Sequence, residues 1–285
     1  MTFINAKSAK EAVDALSKHN GQARLIAGGS DVMVDMQVGK IKTDVLVDVT
    51  KASDMIGIKK QGNDLVIGAS TVLAEISKNA EVKKIFPSLA KGCGSVGSAL
   101  IRSSATLVGN VVTAQPAADA AMSVSVLDPT FVILSKNGER TSKIFDLYAG
   151  FGKSSLDPTK ELIKEVRIPL FGKGEAASFV RLELRKSLSL PMLNVSAYLK
   201  VSGGKIEAAR ITMAPVGVGP TRATEAEKYL VGKKMSKDVF EEAGKLSLKN
   251  AEPRSNPLRG SKEYRTDTLP VLVRRALMEC ADQLK

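Results

Sequence analysis

The chain has 285 residues, 44% hydrophobic and 25% charged, with a formal net charge of +12, which gives room for two compact domains, each with its own core. No run approaches the roughly 18 apolar residues that span a bilayer, and the start, Met1-Thr2-Phe3-Ile4-Asn5-Ala6-Lys7, has no charged segment leading into an apolar one, so a cytoplasmic protein is expected. Basic residues are spread along the chain, aromatics make up 4% and tryptophan is absent, so the basic–aromatic strip of a nucleic-acid binder is missing and the charge reads as solvation plus an acidic docking partner.

In chain order, Ser8-Ala9-Lys10-Glu11 has the form of a capping box and opens a helix with Ala12, Val13 and Leu16 on one face. It stops by Asn20-Gly21. A strand over 23–27 then runs into Gly28-Gly29-Ser30-Asp31, followed by a helix around 32–38 and a strand over 45–49. Residues 56–58 and 65–67 flank the turn Gln61-Gly62-Asn63-Asp64 and predict a hairpin. From Thr71 to about Leu100 the chain reads as helical, broken at Pro87 and in Gly92-Cys93-Gly94. A polar, glycine-containing loop is expected from Ile101 to Gln115, and Pro116-Ala117-Ala118-Asp119 reads as a helix start with proline in its first turn. Residues 131–134 and 163–168 predict buried strands. Pro169 to Gly174 reads as a linker. Beyond it, strands over 177–184, 194–201 and 206–213 give way to helices near 224–231, 237–248 and the C-terminus. In the last helix Leu269, Leu272, Val273, Ala276, Leu277, Cys280 and Leu284 form an apolar stripe.

Two cysteines, Cys93 and Cys280, and one histidine, His19, are too few for a four-ligand zinc site or an iron–sulfur cluster. A Ser-His-Asp or Cys-His machine would have to use His19, which closes a short helix. Chemistry by this chain therefore points to a bound cofactor, and two segments could hold one. In Leu25-Ile26-Ala27-Gly28-Gly29-Ser30-Asp31 a strand ends, two glycines permit unusual backbone conformations, and a helix follows. Such a loop turns main-chain N–H groups together toward an anion, although a purely structural turn uses the same residues. The second segment, Ile101 to Asp119, is rich in small polar residues. Ser104, Thr106 and Asn110 could bond phosphate or ribose oxygens and Asp119 a ribose hydroxyl, or the hydroxyls could cap their own backbone. Neither segment matches G-x-G-x-x-G or the P-loop pattern.

In this order and at this separation, the two segments resemble the FAD-binding domain of the molybdopterin dehydrogenases, the family of xanthine dehydrogenase and carbon monoxide dehydrogenase. That family carries an A-G-G-[ST]-D loop, then R-N-x-A-T-[IL]-G-G-N and a P-x-x-D segment. Here they stand as Ala27-Gly28-Gly29-Ser30-Asp31, Arg102-Ser103-Ser104-Ala105-Thr106-Leu107-Val108-Gly109-Asn110 and Pro116-Ala117-Ala118-Asp119. Arg185-Lys186-Ser187, Ala214-Pro215-Val216, Pro220 to Glu227 and Gly260 to Arg265 look like the family's C-terminal flavoprotein domain. Val108 stands where the family has glycine; if that position needed φ > 0, valine would be strained there and FAD held more weakly. Members that reduce aromatic CoA thioesters carry an extra iron–sulfur cluster in this subunit, for which two cysteines do not suffice.

The resemblance implies an α+β chain: a two-subdomain FAD-binding fold of the PCMH/vanillyl-alcohol-oxidase type over 1–172 (subdomains about 1–55 and 56–172), clasping FAD between them. A C-terminal α+β domain with a three-stranded antiparallel sheet and helices would follow over 173–285. The implied FAD contacts are Leu25, Ile26, Ala27, Gly28, Gly29, Ser30, Asp31, Val32, Ser104, Ala105, Thr106, Val108, Gly109, Asn110, Ala114, Asp119, Ile163 and Lys186. The pyrophosphate would lie on the amides of Ile26 to Asp31 and Thr106 to Asn110, with no catalytic side chain and no metal in this chain. By the same resemblance the chain is an electron-transfer subunit, partnered by a large subunit with the molybdopterin cofactor and a small one with two [2Fe–2S] clusters. The assembly would be a dimer of heterotrimers, passing electrons to NAD, a quinone, ferredoxin or oxygen. A stand-alone FAD oxidoreductase and a flavin-free scaffold are the alternatives.

Overall fold

The computed structural model describes residues 1–285, and packing divides them into two compact units. The first comprises Met1–Ile76, Ser98–Ala114 and Asp128–Leu170; the second comprises Ser77–Gly97, Gln115–Leu127 and Phe171–Lys285. The strands are β1 (Thr2–Asn5), β2 (Ala23–Ile26), β3 (Val45–Asp48), β4 (Ile58–Gln61), β5 (Asp64–Gly68), β6 (Thr130–Ser135), β7 (Gly138–Lys143), β8 (Tyr148–Gly150), β9 (Lys153–Ser154), β10 (Glu161–Pro169), β11 (Glu175–Leu182), β12 (Leu193–Ser202), β13 (Lys205–Ala214) and β14 (Thr221–Arg222). The helices are α1 (Ala9–Lys18), α2 (Val32–Gln37), α3 (Leu73–Lys78), α4 (Ala80–Ile85), α5 (Pro87–Ser95), α6 (Ala99–Arg102), α7 (Leu107–Val112), α8 (Asp119–Ser125), α9 (Thr224–Leu230), α10 (Lys237–Ser247) and α11 (Lys262–Gln283). None of them is long and apolar enough to cross a membrane.

In the first unit β1 and β2 both run parallel to β3, which lies between them. Parallel strands need crossover connections: α1 lies in the one from β1 to β2, and α2 in the one from β2 to its neighbour β3. The Ser8 hydroxyl accepts from the Glu11 amide at 3.2 Å, while the Glu11 carboxylate accepts from the Lys7 amide at 2.8 Å, one residue before the donor a capping box uses. Ala9, Ala12, Val13 and Leu16 are buried, and His19 is the half-buried C-cap. A five-stranded antiparallel sheet follows, in the order β4-β5-β10-β6-β7. Its central strand β10 has a bulge between Ile163 and Glu165. The extra residue shifts the alternation of faces, so Ile163 and Glu165 pair with the adjacent residues Ile133 and Val132 and face opposite sides of the sheet; Leu162 and Ile163, ahead of the bulge, are both buried.

The second unit is built on an antiparallel sheet, β11-β12-β13-β14, in which three long strands are joined by the two-residue β14. Alternate residues point to opposite faces. Val180, Val195, Ala197, Leu199, Ile211 and Met213 share one core with Leu269, Leu272, Val273, Ala276, Leu277 and Cys280 of α11. Each of the buried Val, Leu, Ile and Met side chains among them contributes about 1.5–3 kcal/mol. The opposite face carries Phe179, Arg181, Asn194, Ser196 and Thr212, and Phe179 and Ala214 pack there with Met122 of α8.

Three local expectations are corrected. The chain does not break at Gly92-Cys93-Gly94: α5 runs through it, with Pro87 at its start. Gly92 serves close packing instead, because a Cβ there would run into the Ser123 side chain on α8. The polar stretch after residue 100 is not one loop; it contains α6 and α7, capped by the Ser98 and Thr106 hydroxyls. Pro116 lies ahead of α8 and not in its first turn, since Ala118 is the N-cap.

Candidate functional site

Strand β2 delivers the chain into Ala27-Gly28-Gly29-Ser30-Asp31, and α2 begins at Val32. The amides of Ala27, Gly28, Gly29, Ser30, Asp31 and Val32 donate to no group of the chain, whereas Leu25 is tied to the Pro158 carbonyl and Met33 to the Gly29 carbonyl. Gly29 has φ +70°, the left-handed region that glycine enters without penalty. Residues 27–30 are half-buried. Six consecutive main-chain donors at the end of a strand make a concentrated positive edge suited to an anion.

Gly28 packs this loop against the second segment within the same unit. An added Cβ would lie 2.7 Å from the Ser104 carbonyl carbon and 2.8 Å from Ala105 Cα, with the Ser104 oxygen nearer still. All three are main-chain atoms, so the approach requires glycine. The second segment is itself held by the Leu73 amide, which donates to the Ala105 carbonyl at 2.8 Å.

The second segment is organised by Thr106, which is 3% exposed. Its hydroxyl accepts from the Gly109 amide at 2.9 Å and its carbonyl from the Asn110 amide at 3.0 Å. Those two amides are thus spent inside α7, a difference from the expectation that the whole run 106–110 offers its N–H groups; the Val108 amide donates to no group of the chain. Val108 lies in α7 and not at positive φ, so the strain expected of valine there is absent. Ser104 is exposed and its hydroxyl donates to the Ile101 carbonyl at 3.3 Å. Beyond the helix, Ala114 is fully buried at φ +51°, and its carbonyl accepts from Gly152 at 3.0 Å. Ile163 is buried in β10 beside the bulge.

Asp119 and Lys186 belong to the second unit. Lys186 is exposed in the β11–β12 connection. Asp119 opens α8, is 5% exposed, and is held by two side chains of the sheet. Arg181 Nε lies 3.1 Å from its Oδ1 and 3.2 Å from its Oδ2, and Asn194 Nδ2 donates to Oδ1 at 2.8 Å. The rest of the guanidinium pairs with Glu183 and donates to the Ser189 carbonyl. Burial pushes the Asp119 carboxyl up to about 6; the Arg181 charge and the hydrogen bonds from Asn194 and Arg181 oppose the shift without cancelling it. Arg181 and Asn194 were not singled out from the sequence: neither lies in a glycine-rich or acidic motif, and only the strand register puts them side by side.

No three His, Cys, Asp or Glu side chains gather in a way that could hold a metal ion. Cys93 and Cys280 are unpaired and fully buried, and burial pushes the Cys280 thiol up to about 12 and Cys93 up as well. A thiol held protonated is a poor nucleophile.

Comparison with known proteins agrees with this layout. Residues 1–171 match the family described as the FAD binding domain in molybdopterin dehydrogenase, and residues 178–280 match the CO dehydrogenase flavoprotein C-terminal domain. The chain is 27% identical over 282 residues to the glyceraldehyde dehydrogenase medium chain of Sulfolobus acidocaldarius, covering 98% of each. It is 30% identical over 275 residues to the carbon monoxide dehydrogenase medium chain of Afipia carboxidovorans, covering 96% of this chain and 94% of the other. Among solved structures, the carbon monoxide dehydrogenase of Hydrogenophaga pseudoflava superposes with a TM-score of 0.92 at 26% identity, over 99% of this chain and 98% of that one. With both halves matched and the two loops in place, the chain belongs to the FAD-binding subunits of the molybdopterin dehydrogenase family.

Proposed function

We propose that this chain is the FAD-carrying electron-transfer subunit of a molybdenum hydroxylase or dehydrogenase. It stands between the [2Fe–2S] clusters of a small subunit and an external acceptor such as NAD, a quinone, ferredoxin or oxygen. The observation that carries the reading is the run of six unengaged amides from Ala27 to Val32, seated by Gly28 on the second segment.

The residues fit the cofactor. A pyrophosphate needs several convergent donors and close main-chain approach, and Leu25, Ile26, Ala27, Gly28, Gly29, Ser30, Asp31 and Val32 form such a strip. Ser104, Ala105, Thr106, Val108, Gly109, Asn110 and Ala114 supply the second wall and Ile163 an apolar lining within the same unit, while Asp119 and Lys186, in the second unit, stay contacts that the family resemblance implies. When bound, FAD supplies the redox chemistry, so the protein's part is binding, orientation and electrostatics. That division of labour suits a chain whose thiols are buried and whose one histidine caps a helix.

The reading divides the chain into an FAD-binding domain over 1–172, with subdomains about 1–55 and 56–172, and a C-terminal flavoprotein domain over 173–285. It places the oxidised substrate, an aldehyde, a purine, an N-heterocycle or carbon monoxide, on a molybdopterin-binding large subunit, the range that the relatives' names span. A cytoplasmic dimer of heterotrimers is the assembly that goes with it.

The test is the visible spectrum of the purified chain with its cofactor released and weighed. Bands near about 370 and 450 nm with close to one FAD per chain are expected of a bound flavin. A colourless protein that takes up no added FAD overturns the reading.

A further inference from the structure

Within the second unit, three polar groups on the sheet face that carries Phe179 meet no partner in the chain. Ser196 stands opposite Thr212 and Phe179, and Asn194 opposite Ala214 and Arg181, so these side chains lie side by side on that face. Asn194, Ser196 and Thr212 are each 0% exposed. Yet Asn194 Oδ1, Ser196 Oγ and Thr212 Oγ1 make no hydrogen bond within the chain. Buried polar atoms are as a rule partnered, by protein or by ordered water, so three in one patch need a common explanation.

The surrounding polar groups are committed elsewhere. Arg181 is taken by Asp119, Glu183 and the Ser189 carbonyl, and Arg222, opposite Thr212, by Glu227 at 2.6 Å. Arg210 Nε donates to the Val126 carbonyl at 2.6 Å. On α8 the Ser123 and Ser125 hydroxyls donate to the carbonyls of Ala120 and Met122. Turning the Asn194 amide over would not help, because its Nδ2 donates to Asp119 Oδ1 at 2.8 Å and the turned oxygen would face that carboxylate. Met122, Phe179 and Ala214 pack together on the same face as apolar cover.

We propose that this patch is an internal hydration site: a water buried between α8 and the strands β12 and β13 donates to Asn194 Oδ1 and bonds the Ser196 and Thr212 hydroxyls. The set of groups fits that ligand. The amide oxygen accepts, and each hydroxyl both donates and accepts, so a molecule with two donors and two acceptors satisfies all three. An ion would find no charged group left to balance it, since Arg181, Arg210 and Arg222 are engaged. Directly opposed strand residues stand about 4.5–5.5 Å apart at Cβ, and two hydrogen bonds of about 2.8 Å let one water join polar atoms about 5.6 Å apart. Ser196, Thr212 and Ala214 are short side chains, in keeping with the small volume that a water occupies. By holding Oδ1, the water keeps the Asn194 Nδ2 on Asp119.

The test counts long-lived internal waters by magnetic relaxation dispersion in the full-length chain as purified and in a Ser196→Ala/Thr212→Val variant, with melting temperatures measured alongside. The variant is expected to hold one such water fewer than the parent. It should also melt about 2–4 °C lower, because Asn194 Oδ1 then loses its partner. A lower count with an unchanged melting temperature still supports the site. An unchanged count overturns it. If the melting temperature then rises, the patch is dry and the unmet hydroxyls were a cost; if it falls, Ser196 and Thr212 bond each other directly. A crystal structure of the unaltered chain gives the answer without any variant: a water within about 3.2 Å of the three atoms supports the site, and none there overturns it.

Discussion

Replacing Gly28 by alanine tests the junction of the two loops most directly. The added Cβ would stand 2.7 Å from the Ser104 carbonyl carbon and 2.8 Å from Ala105 Cα, where ordinary contact begins at 3.4 Å. Because both neighbours are main chain, no side chain can rotate away, and the loops must separate by about 1 Å; overpacking of this kind costs about 1–3 kcal/mol. For a chain of this size each 1 kcal/mol lowers the melting temperature by about 2–4 °C. The same displacement moves the six amides off their common target, so FAD affinity should fall about tenfold or more, each 1.4 kcal/mol being a factor of ten. Two controls separate the causes. Gly29→Ala meets only the side chains of Ile26 and Met33, at 3.3 Å and beyond, and is strained by φ alone; Gly21→Ala has a similar φ of +86° with nothing within 4 Å. The assay is thermal denaturation with and without FAD, together with fluorescence titration of the cofactor. Gly28→Ala indistinguishable from Gly21→Ala in both measurements would falsify the argument that close approach, and not backbone conformation, makes this glycine necessary.

Val108→Gly is expected to lower the melting temperature: position 108 is helical and 9% exposed, so the change gives up helix propensity and buried surface, together about 1–3 kcal/mol. A higher melting temperature would restore the idea of strain at this site. Asp119 is ionised less readily in the folded chain, at about 6 against 3.8, so the native state binds its proton more tightly than the unfolded one does. Stability of the FAD-free chain should therefore decline as pH rises from about 4 to 6, and Asp119→Asn should remove that part of the slope; a slope unchanged in the variant argues against the shift. Neither Cys93 nor Cys280 should react with iodoacetamide at pH 8 in the folded chain, while both react in denaturant, because both thiols are buried and held protonated. Rapid labelling of the native protein would show that one of them is accessible.

Elements with strong local signals could be read directly from the sequence. The α1 start carries its own cap in Ser8, the hairpin of β4 and β5 its own turn in Gly62-Asn63, and α11 its apolar stripe. The glycine loop after β2 was legible for the same reason, since strand, paired glycines and helix follow within a few residues. α7 was missed because Thr106 to Val112 mixes small, polar and β-branched residues, which favour a helix weakly; the Thr106 cap and burial of Leu107, Val108 and Val111 decide it. Gly92 misled for a related reason. As a helix breaker it signals an end, but its missing Cβ makes room for Ser123, about thirty positions away along the chain.

By itself the sequence determined the order of those elements that carry strong local signals, the cofactor loop and the family, because each is written in neighbouring residues or in motifs at fixed separation. Tertiary structure alone decided that Gly28 meets Ser104 and Ala105, and that Asp119 is held by Arg181 and Asn194. The two Asp119 contacts join residues 62 and 75 positions apart. Their partners are set by strand register and helix packing, which depend on how whole faces fit together and leave no periodic trace around any one of the residues.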